Sequence, residues 1–196
     1  MNLPNKLTIG RIVMAGLIIA ILLFPFEAMG ISTMKFFVNE SLVIDIKYLI
    51  AGVLFVLASF TDFLDGYIAR KYNMVTDFGK MTDAIADKML VNSVLIILAS
   101  TGFISAIIPV VVVLRDTVVD VIKMIVGNKG KAVAAIKSGK IKTACLMVGI
   151  TLTLFYNLPF ELINIRVSDV LLIIATVMSI ISGVQYYTLN KKALFE

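Results

Sequence analysis

Thr61-Asp62-Phe63-Leu64-Asp65-Gly66-Tyr67-Ile68-Ala69-Arg70 is followed, eight residues later, by Gly79-Lys80-Met81-Thr82-Asp83-Ala84-Ile85-Ala86-Asp87. Together the two stretches put four carboxylates into runs that are otherwise apolar. Asp62 and Asp65 are three residues apart, Asp83 and Asp87 four, so each pair lies on one face of a helix. The intervening residues from Lys71 to Phe78 are few enough to make the two helices antiparallel neighbours. Their acidic faces then meet in one pocket. A carboxylate in hydrocarbon costs about 2.5–3.5 kcal/mol even on a lenient insertion scale, and four together repel one another. Something positive must compensate. Hard divalent cations suit an all-oxygen site, and Mg²⁺ typically binds through one or two carboxylates plus substrate phosphates, so a two-metal phosphate site follows. Gly66, Ala69 and Gly79 leave room for a bulky ligand beside it, although small residues also serve close helix packing. Arg70 can meet phosphate.

Outward from this segment the chain is apolar. Of 196 residues, 60% are hydrophobic and only 16% charged, well outside the usual balance of soluble chains and incompatible with intrinsic disorder. Apolar helical runs fall near Thr8 to Pro25, Ile46 to Arg70, Gly79 to Ala99, Ile104 to Val126, Lys142 to Leu158 and Asp169 to Leu189. Each is close to the roughly 20 residues that span a bilayer, and helices satisfy their own backbone hydrogen bonds in lipid. The expectation is an all-α integral membrane protein: six transmembrane helices, a short N-terminal interfacial segment, and one domain over residues 1–196. The first run is expected to be retained, because Phe24-Pro25-Phe26-Glu27 follows it in place of a small-residue cleavage pattern.

Loop charge sets the orientation. Lys6, Arg11, Arg70, Lys71, Lys80, the group from Lys123 to Lys142, Lys191 and Lys192 fall on one side, with only Lys35, Lys47 and Arg166 on the other. By the positive-inside rule both termini and the acidic pocket face the cytoplasm. The net charge of +5 then belongs to juxtamembrane positions facing anionic lipid, and no nucleic-acid partner is needed. The absence of histidine and the single cysteine, Cys145, exclude His-based metal sites and triads as well as an intrachain disulfide.

A second constellation is basic. Arg115 and Asp116 lie inside the fourth run, Asp120 and Lys123 on the next turns, and Gly139-Lys140-Ile141-Lys142-Thr143 opens the fifth. Arg115, Lys123, Lys140 and Lys142 together suit the phosphate of a ligand. Lys129, Lys131 and Lys137 can equally well meet lipid head groups.

The series Asp62, Asp65-Gly66, Ala69-Arg70, Gly79, Asp83, Asp87 resembles the complete signature of the CDP-alcohol phosphotransferases, all eight residues at the required spacing. The resemblance implies the six-helix fold of that family, usually a homodimer, which replaces CMP in a CDP-linked lipid by an alcohol. It implies two divalent ions, Mg²⁺ or Mn²⁺, held by Asp62, Asp65, Asp83 and Asp87, with Asp87 also the catalytic base. Gly66, Ala69, Arg70, Thr76 and Gly79 then border the CDP portion. Pro4-Asn5-Lys6-Leu7-Thr8 with Arg11 looks like the family's entry segment, in which Asn5 and Thr8 also border the nucleotide. The same residues would equally serve as helix caps, with Lys6 and Arg11 at the lipid surface.

The fourth and fifth runs resemble the bacterial phosphatidylglycerophosphate synthase branch of the family, departing from it at Ala84, Asp116, Lys123 and Leu146. That branch implies CDP-diacylglycerol and sn-glycerol 3-phosphate as substrates, phosphatidylglycerophosphate and CMP as products, and a place in a bacterial cell membrane. Alternatives are another acceptor (inositol phosphate, serine, or phosphatidylglycerol to give cardiolipin) and, from another class, a cation transporter, since intramembrane aspartates also mark ion pathways.

Overall fold

Pro4 sits where a first helical turn needs no backbone donor, and the chain turns helical at once. In the computed structural model, which describes residues 2–26, 29–31, 34–38, 42–72, 74, 76–130 and 133–195, α1 runs Leu3–Leu23. It is followed by α2 (Ile46–Lys71), α3 (Asp77–Ser100), α4 (Ile107–Asn128), α5 (Lys137–Leu154) and α6 (Val167–Phe195). A short 3₁₀ turn at Phe160–Ile163 precedes the last helix. The segment expected to lie at the interface ahead of the first helix instead forms the opening turns of α1. The last helix runs six residues past the expected Leu189.

Among the described residues, three helices are long and apolar enough to cross a membrane by length and composition. They are Leu3–Leu23, Ile46–Ala69 and Val167–Leu194, with mean hydropathies of 2.1, 1.7 and 2.2. The other three carry more of the charged side chains. Large apolar residues such as Leu17, Phe63, Ile96, Leu114 and Ile180 are exposed on the outer surface, the arrangement a lipid-facing bundle requires.

Packing divides the bundle into two groups. α1 packs on α2 and α3, α6 packs on α4 and α5, and α2–α5, α3–α4 and α3–α5 contacts join the groups. One apolar core runs through both, with Ile18, Phe55, Leu95, Leu98, Ile150 and Leu172 fully buried. The buried face of α1 changes character along its length. Asn5, Thr8 and Arg11 lead into Ala15, Ile18 and Leu22 at intervals of three and four residues, so the same stripe is polar near the N-terminus and apolar beyond it. That polar half meets the C-terminal end of α2 and the start of α3, and so fixes the site at one end of the bundle.

The opposite end is closed by a hairpin that the apolar runs did not foreshadow. β1 (Lys35–Val38) pairs antiparallel with β2 (Leu42–Asp45), Phe36 opposite Ile44 and Phe37 opposite Val43. Aromatic and β-branched residues suit such strands, but four residues apiece is too short for a clear sequence signal. Asp45 ends the hairpin and caps α2 by accepting from the Lys47 amide at 3.0 Å. Its own amide donates to the Tyr156 hydroxyl at 2.9 Å, which ties the hairpin to the chain end of α5.

Between α5 and α6 the approach is close. A Cβ built on Gly149 would lie 2.9 Å from Leu172 Cδ2 and 3.0 Å from its Cγ. Ser138 Oγ donates to Gln185 Oε1 at 2.6 Å and fixes the other end of the same pair. Gly149→Val should therefore force the helices apart and destabilise the protein by about 1–3 kcal/mol, the usual cost of overpacking. Thermal unfolding of the detergent-solubilised chain checks this, and an unchanged midpoint would mean that Leu172 rotates away freely.

Candidate functional site

The acidic residues converge as their spacing requires. Asp62 and Asp65 come from the last turns of α2, Asp83 and Asp87 from the first turns of α3, and the two helices run antiparallel across a short link. Carboxylate oxygens of Asp62, Asp83 and Asp87 lie within 4.8 Å of one another. A hard, all-oxygen set at this separation fits a divalent cation. Asp65 joins the other three through Arg11. It is buried, Thr8 Oγ1 lies 3.2 Å from its Oδ2, and Arg11 Nη2 pairs with the same oxygen.

Arg11 stands at the centre. Its Nη1 lies 2.6 Å from Asp62 Oδ1, 2.9 Å from Asp83 Oδ1 and 2.8 Å from Asp87 Oδ1. The side chain is 0% exposed, so of the two readings of this segment the one with Arg11 at the lipid surface does not hold. Nor do Asn5 and Thr8 cap a helix. Asn2 holds the N-cap position, without a side-chain hydrogen bond, and both residues lie inside α1 on the face that looks at α2 and α3. The sequence did carry a signal for Arg11: it follows Asn5 and Thr8 at three-residue intervals and continues into Ala15 and Ile18 on one helical stripe.

Two cavities flank the cluster. The first, about 210 Å³, is lined by Asn5, Thr8, Gly66, Ala69, Thr76 and Gly79 together with Asp65 and Asp83. Six of the seven residues expected around a nucleotide are therefore gathered in one place. The side chain of the seventh, Arg70, lies outside the described residues. Gly79 is there for lack of space. A Cβ would lie 2.8 Å from Asn5 Oδ1 and 2.9 Å from Thr76 Oγ1. Thr76 caps α3 by accepting from the Gly79 amide at 3.0 Å, and its hydroxyl also meets the Asn5 amide at 3.4 Å.

The second cavity, about 250 Å³, opens on the other side, where Asp87 faces Lys88, Arg115, Lys123 and Lys142 as well as Asp116 and Asp120. The bases are not all free. Lys142 is buried and donates to both Asp116 oxygens, at 2.6 and 2.8 Å, while Lys88 pairs with Asp120. Arg115 reaches Asp116 at 2.9 Å and lies with its guanidinium 5.4 Å from the Tyr186 ring centre, beside Lys123 Nζ at 5.6 Å. Both are cation–π distances.

Lys140 is separated from Lys142. Two residues along a helix do not share a face, and Lys140 is exposed in a neighbouring recess lined by Arg115, Lys123, Gly139 and Tyr186. Asp116 and Asp120, noted in the sequence beside their basic neighbours, emerge as the partners that neutralise two of the lysines.

With this geometry in place, comparison with known proteins is informative. Residues 1–181 match the family described as CDP-alcohol phosphatidyltransferase. The chain is 38% identical over 193 residues to a Bacillus subtilis protein named CDP-diacylglycerol–glycerol-3-phosphate 3-phosphatidyltransferase, covering 98% of this chain and 97% of the relative. A protein of the same name from Rickettsia felis is 35% identical over 192 residues, 97% of this chain and 96% of its own. One from Mycoplasma pneumoniae is 37% identical over 154 residues, 79% and 68%.

The Thr76 cap orders the start of α3 and with it Asp83. Thr76→Ala should lose about 0.5–2 kcal/mol of stability, the usual worth of such a cap, whereas Thr76→Ser keeps the hydroxyl and should restore most of it. Denaturation of the two variants side by side measures the difference; equal losses would mean that the methyl group, not the cap, matters.

Proposed function

The chain belongs to the CDP-alcohol phosphatidyltransferase family, and from this premise we infer that it transfers the phosphatidyl group of CDP-diacylglycerol to sn-glycerol 3-phosphate, giving phosphatidylglycerophosphate and CMP. Near-full-length relatives bearing that activity in their names support the reading. The observation that carries it is the placement of the acidic cluster between a small-residue cavity and a basic one. Asp65 and Asp83 line the first and Asp87 the second, so a donor and an acceptor can each reach the acidic cluster.

The cavity bounded by Asn5, Thr8, Gly66, Ala69, Thr76 and Gly79 receives the CDP portion, where small side chains admit a flat base; Arg70 is assigned to the nucleotide by its position in the sequence signature alone. Asp62, Asp65, Asp83 and Asp87 would hold two divalent ions, Mg²⁺ or Mn²⁺, whose charge would neutralise the diphosphate and stabilise attacking and leaving oxygens. On the far side Arg115 and Lys123 bind the phosphate of glycerol 3-phosphate through charge-assisted hydrogen bonds. Lys140 adds charge at the entrance. Lys142, tied to Asp116, fixes the cavity wall and raises its potential more than it reaches for the ligand.

Asp87, which lines the acceptor cavity, takes the proton from the acceptor hydroxyl. The oxygen so freed attacks the lipid-bearing phosphorus, the bond from that phosphorus to CMP breaks, and CMP leaves with the bonding electrons. No covalent enzyme intermediate is needed.

Six helices cross the bilayer in this reading, with both termini and the site on the cytoplasmic side. The excess of lysine and arginine at that end supports this orientation. Bacterial relatives support a place in the bacterial cell membrane, and the family resemblance supports a homodimer.

The decisive assay is release of CMP from CDP-diacylglycerol by the purified chain. CMP should appear only with glycerol 3-phosphate and a divalent ion present, and turnover in excess chelator would refute the metal assignment. Asp87→Asn should slow transfer by roughly 10²-fold or more, the scale of general-base catalysis; near-normal turnover would exclude it as base. Arg115→Ala should raise KM for glycerol 3-phosphate far more than KM for CDP-diacylglycerol, and Arg115→Lys should rescue only in part because an ammonium lacks the planar fork. A rise confined to CDP-diacylglycerol would assign the basic cavity to the donor instead.

A further inference from the structure

The reaction just described makes no use of Arg11, yet no side chain in the site is more deeply placed. Its Nη1 lies within 2.6–2.9 Å of Asp62, Asp83 and Asp87, the same three residues whose oxygens are close enough together to share an ion. One nitrogen therefore fills the space in which those carboxylates would converge on a cation. Its hydrogen bonding is mismatched for a dedicated ion pair. A terminal guanidinium nitrogen carries two protons, here facing three carboxylates, while among the described residues the buried Nε has no hydrogen-bond partner. A fork built to recognise carboxylates would use its protons in parallel pairs. This one supplies charge to a crowded cluster and leaves a donor unsatisfied.

We infer that Arg11 is the internal counter-ion of this cluster, and that divalent cations load by taking its carboxylates, Asp65 included, from the guanidinium. The inference rests on the reading that this cluster takes divalent cations. Two consequences separate it from a plain structural role. Losing Arg11 should destabilise the metal-free chain, because four carboxylates then face one another uncompensated, yet it should tighten metal binding, because a competitor is gone. A residue that merely supports the ligands would, on removal, weaken metal binding.

The test uses the full chain in detergent, with Mn²⁺ as the probe. Free Mn²⁺ is followed by electron paramagnetic resonance during titration, and thermal unfolding is recorded in EDTA and in saturating Mn²⁺. Arg11→Gln should bind Mn²⁺ at least tenfold more tightly than the unmodified chain, unfold earlier in EDTA and gain more from Mn²⁺. Arg11→Lys, which keeps the charge but reaches fewer carboxylates, should lie between. Unchanged or weaker affinity in Arg11→Gln overturns the exchange, and Arg11→Lys decides if the glutamine variant does not fold. Variants that fold only with Mn²⁺ support it, whereas failure of both to fold even with Mn²⁺ overturns it, since the ion must be able to replace the guanidinium. If the unmodified chain binds no Mn²⁺, the metal reading itself fails; if all three chains bind it equally, only the exchange does.

Discussion

The constraint on which this bundle depends is electrostatic: four carboxylates are gathered around one buried guanidinium at the end of three helices. Arg11 and Asp65 are buried, and a buried charge is tolerated only when it is compensated. Much of the local architecture follows. α1 must present a polar face for its first three turns, α2 and α3 must run antiparallel with their acidic faces together, and the link between them must be short. Only beyond Arg11 can α1 join the common apolar core through Ala15, Ile18 and Leu22.

That arrangement also divides labour between the two halves. The α1–α3 group supplies carboxylates and a cavity walled by small residues, whereas α4 and α5 supply the basic side of the second cavity. Arginine inside an apolar helix is expensive, and the surroundings of Arg115 show how the cost is met. A Cβ on Gly183 would lie 3.2 Å from Arg115 Cγ, so the side chain passes close over the backbone of α6 where a glycine leaves room. Asp116 and the Tyr186 ring complete its surroundings. The same aspartate holds Lys142, which turns what looks in sequence like a row of phosphate ligands into a scaffolded cavity with fewer free cations.

At the far end, side-chain to backbone bonds replace charge. Asn157, at φ 55°, donates to the Ile165 carbonyl at 2.7 Å and to Glu161 at 3.0 Å, and accepts from the Ser168 amide at 3.1 Å. Asparagine tolerates the left-handed region better than most residues, and here it closes the α5–α6 connection with one side chain. Tyr48, Phe103 and Tyr156 stack beside it with ring centres 4.6–5.9 Å apart. This end is held by hydrogen bonds and ring contacts, whereas the acidic end is held by ion pairs to Arg11.

Apolar runs broken by charge were enough, in the sequence alone, to place six helices, and the spacing of Asp62, Asp65, Asp83 and Asp87 was enough to bring their carboxylates together. The first follows from the length of apolar chain that spans a bilayer and the second from the 3.6-residue period; both are local and depend on nothing distant. Asn5, Thr8, Thr76 and Gly79 were legible for a different reason, as positions in a fixed pattern. Tertiary structure alone decided the rest. It chose Arg11 as the partner of all four aspartates over the lipid surface, turned Lys140 outward and Lys142 inward, gave Lys142 and Lys88 to Asp116 and Asp120, and set two cavities on opposite sides of one cluster. Those outcomes depend on which charge lies nearest across a helix interface once the core has packed. A linear pattern does not encode that distance, because the lysines and arginines compete for the same carboxylates until the helices are fixed in place.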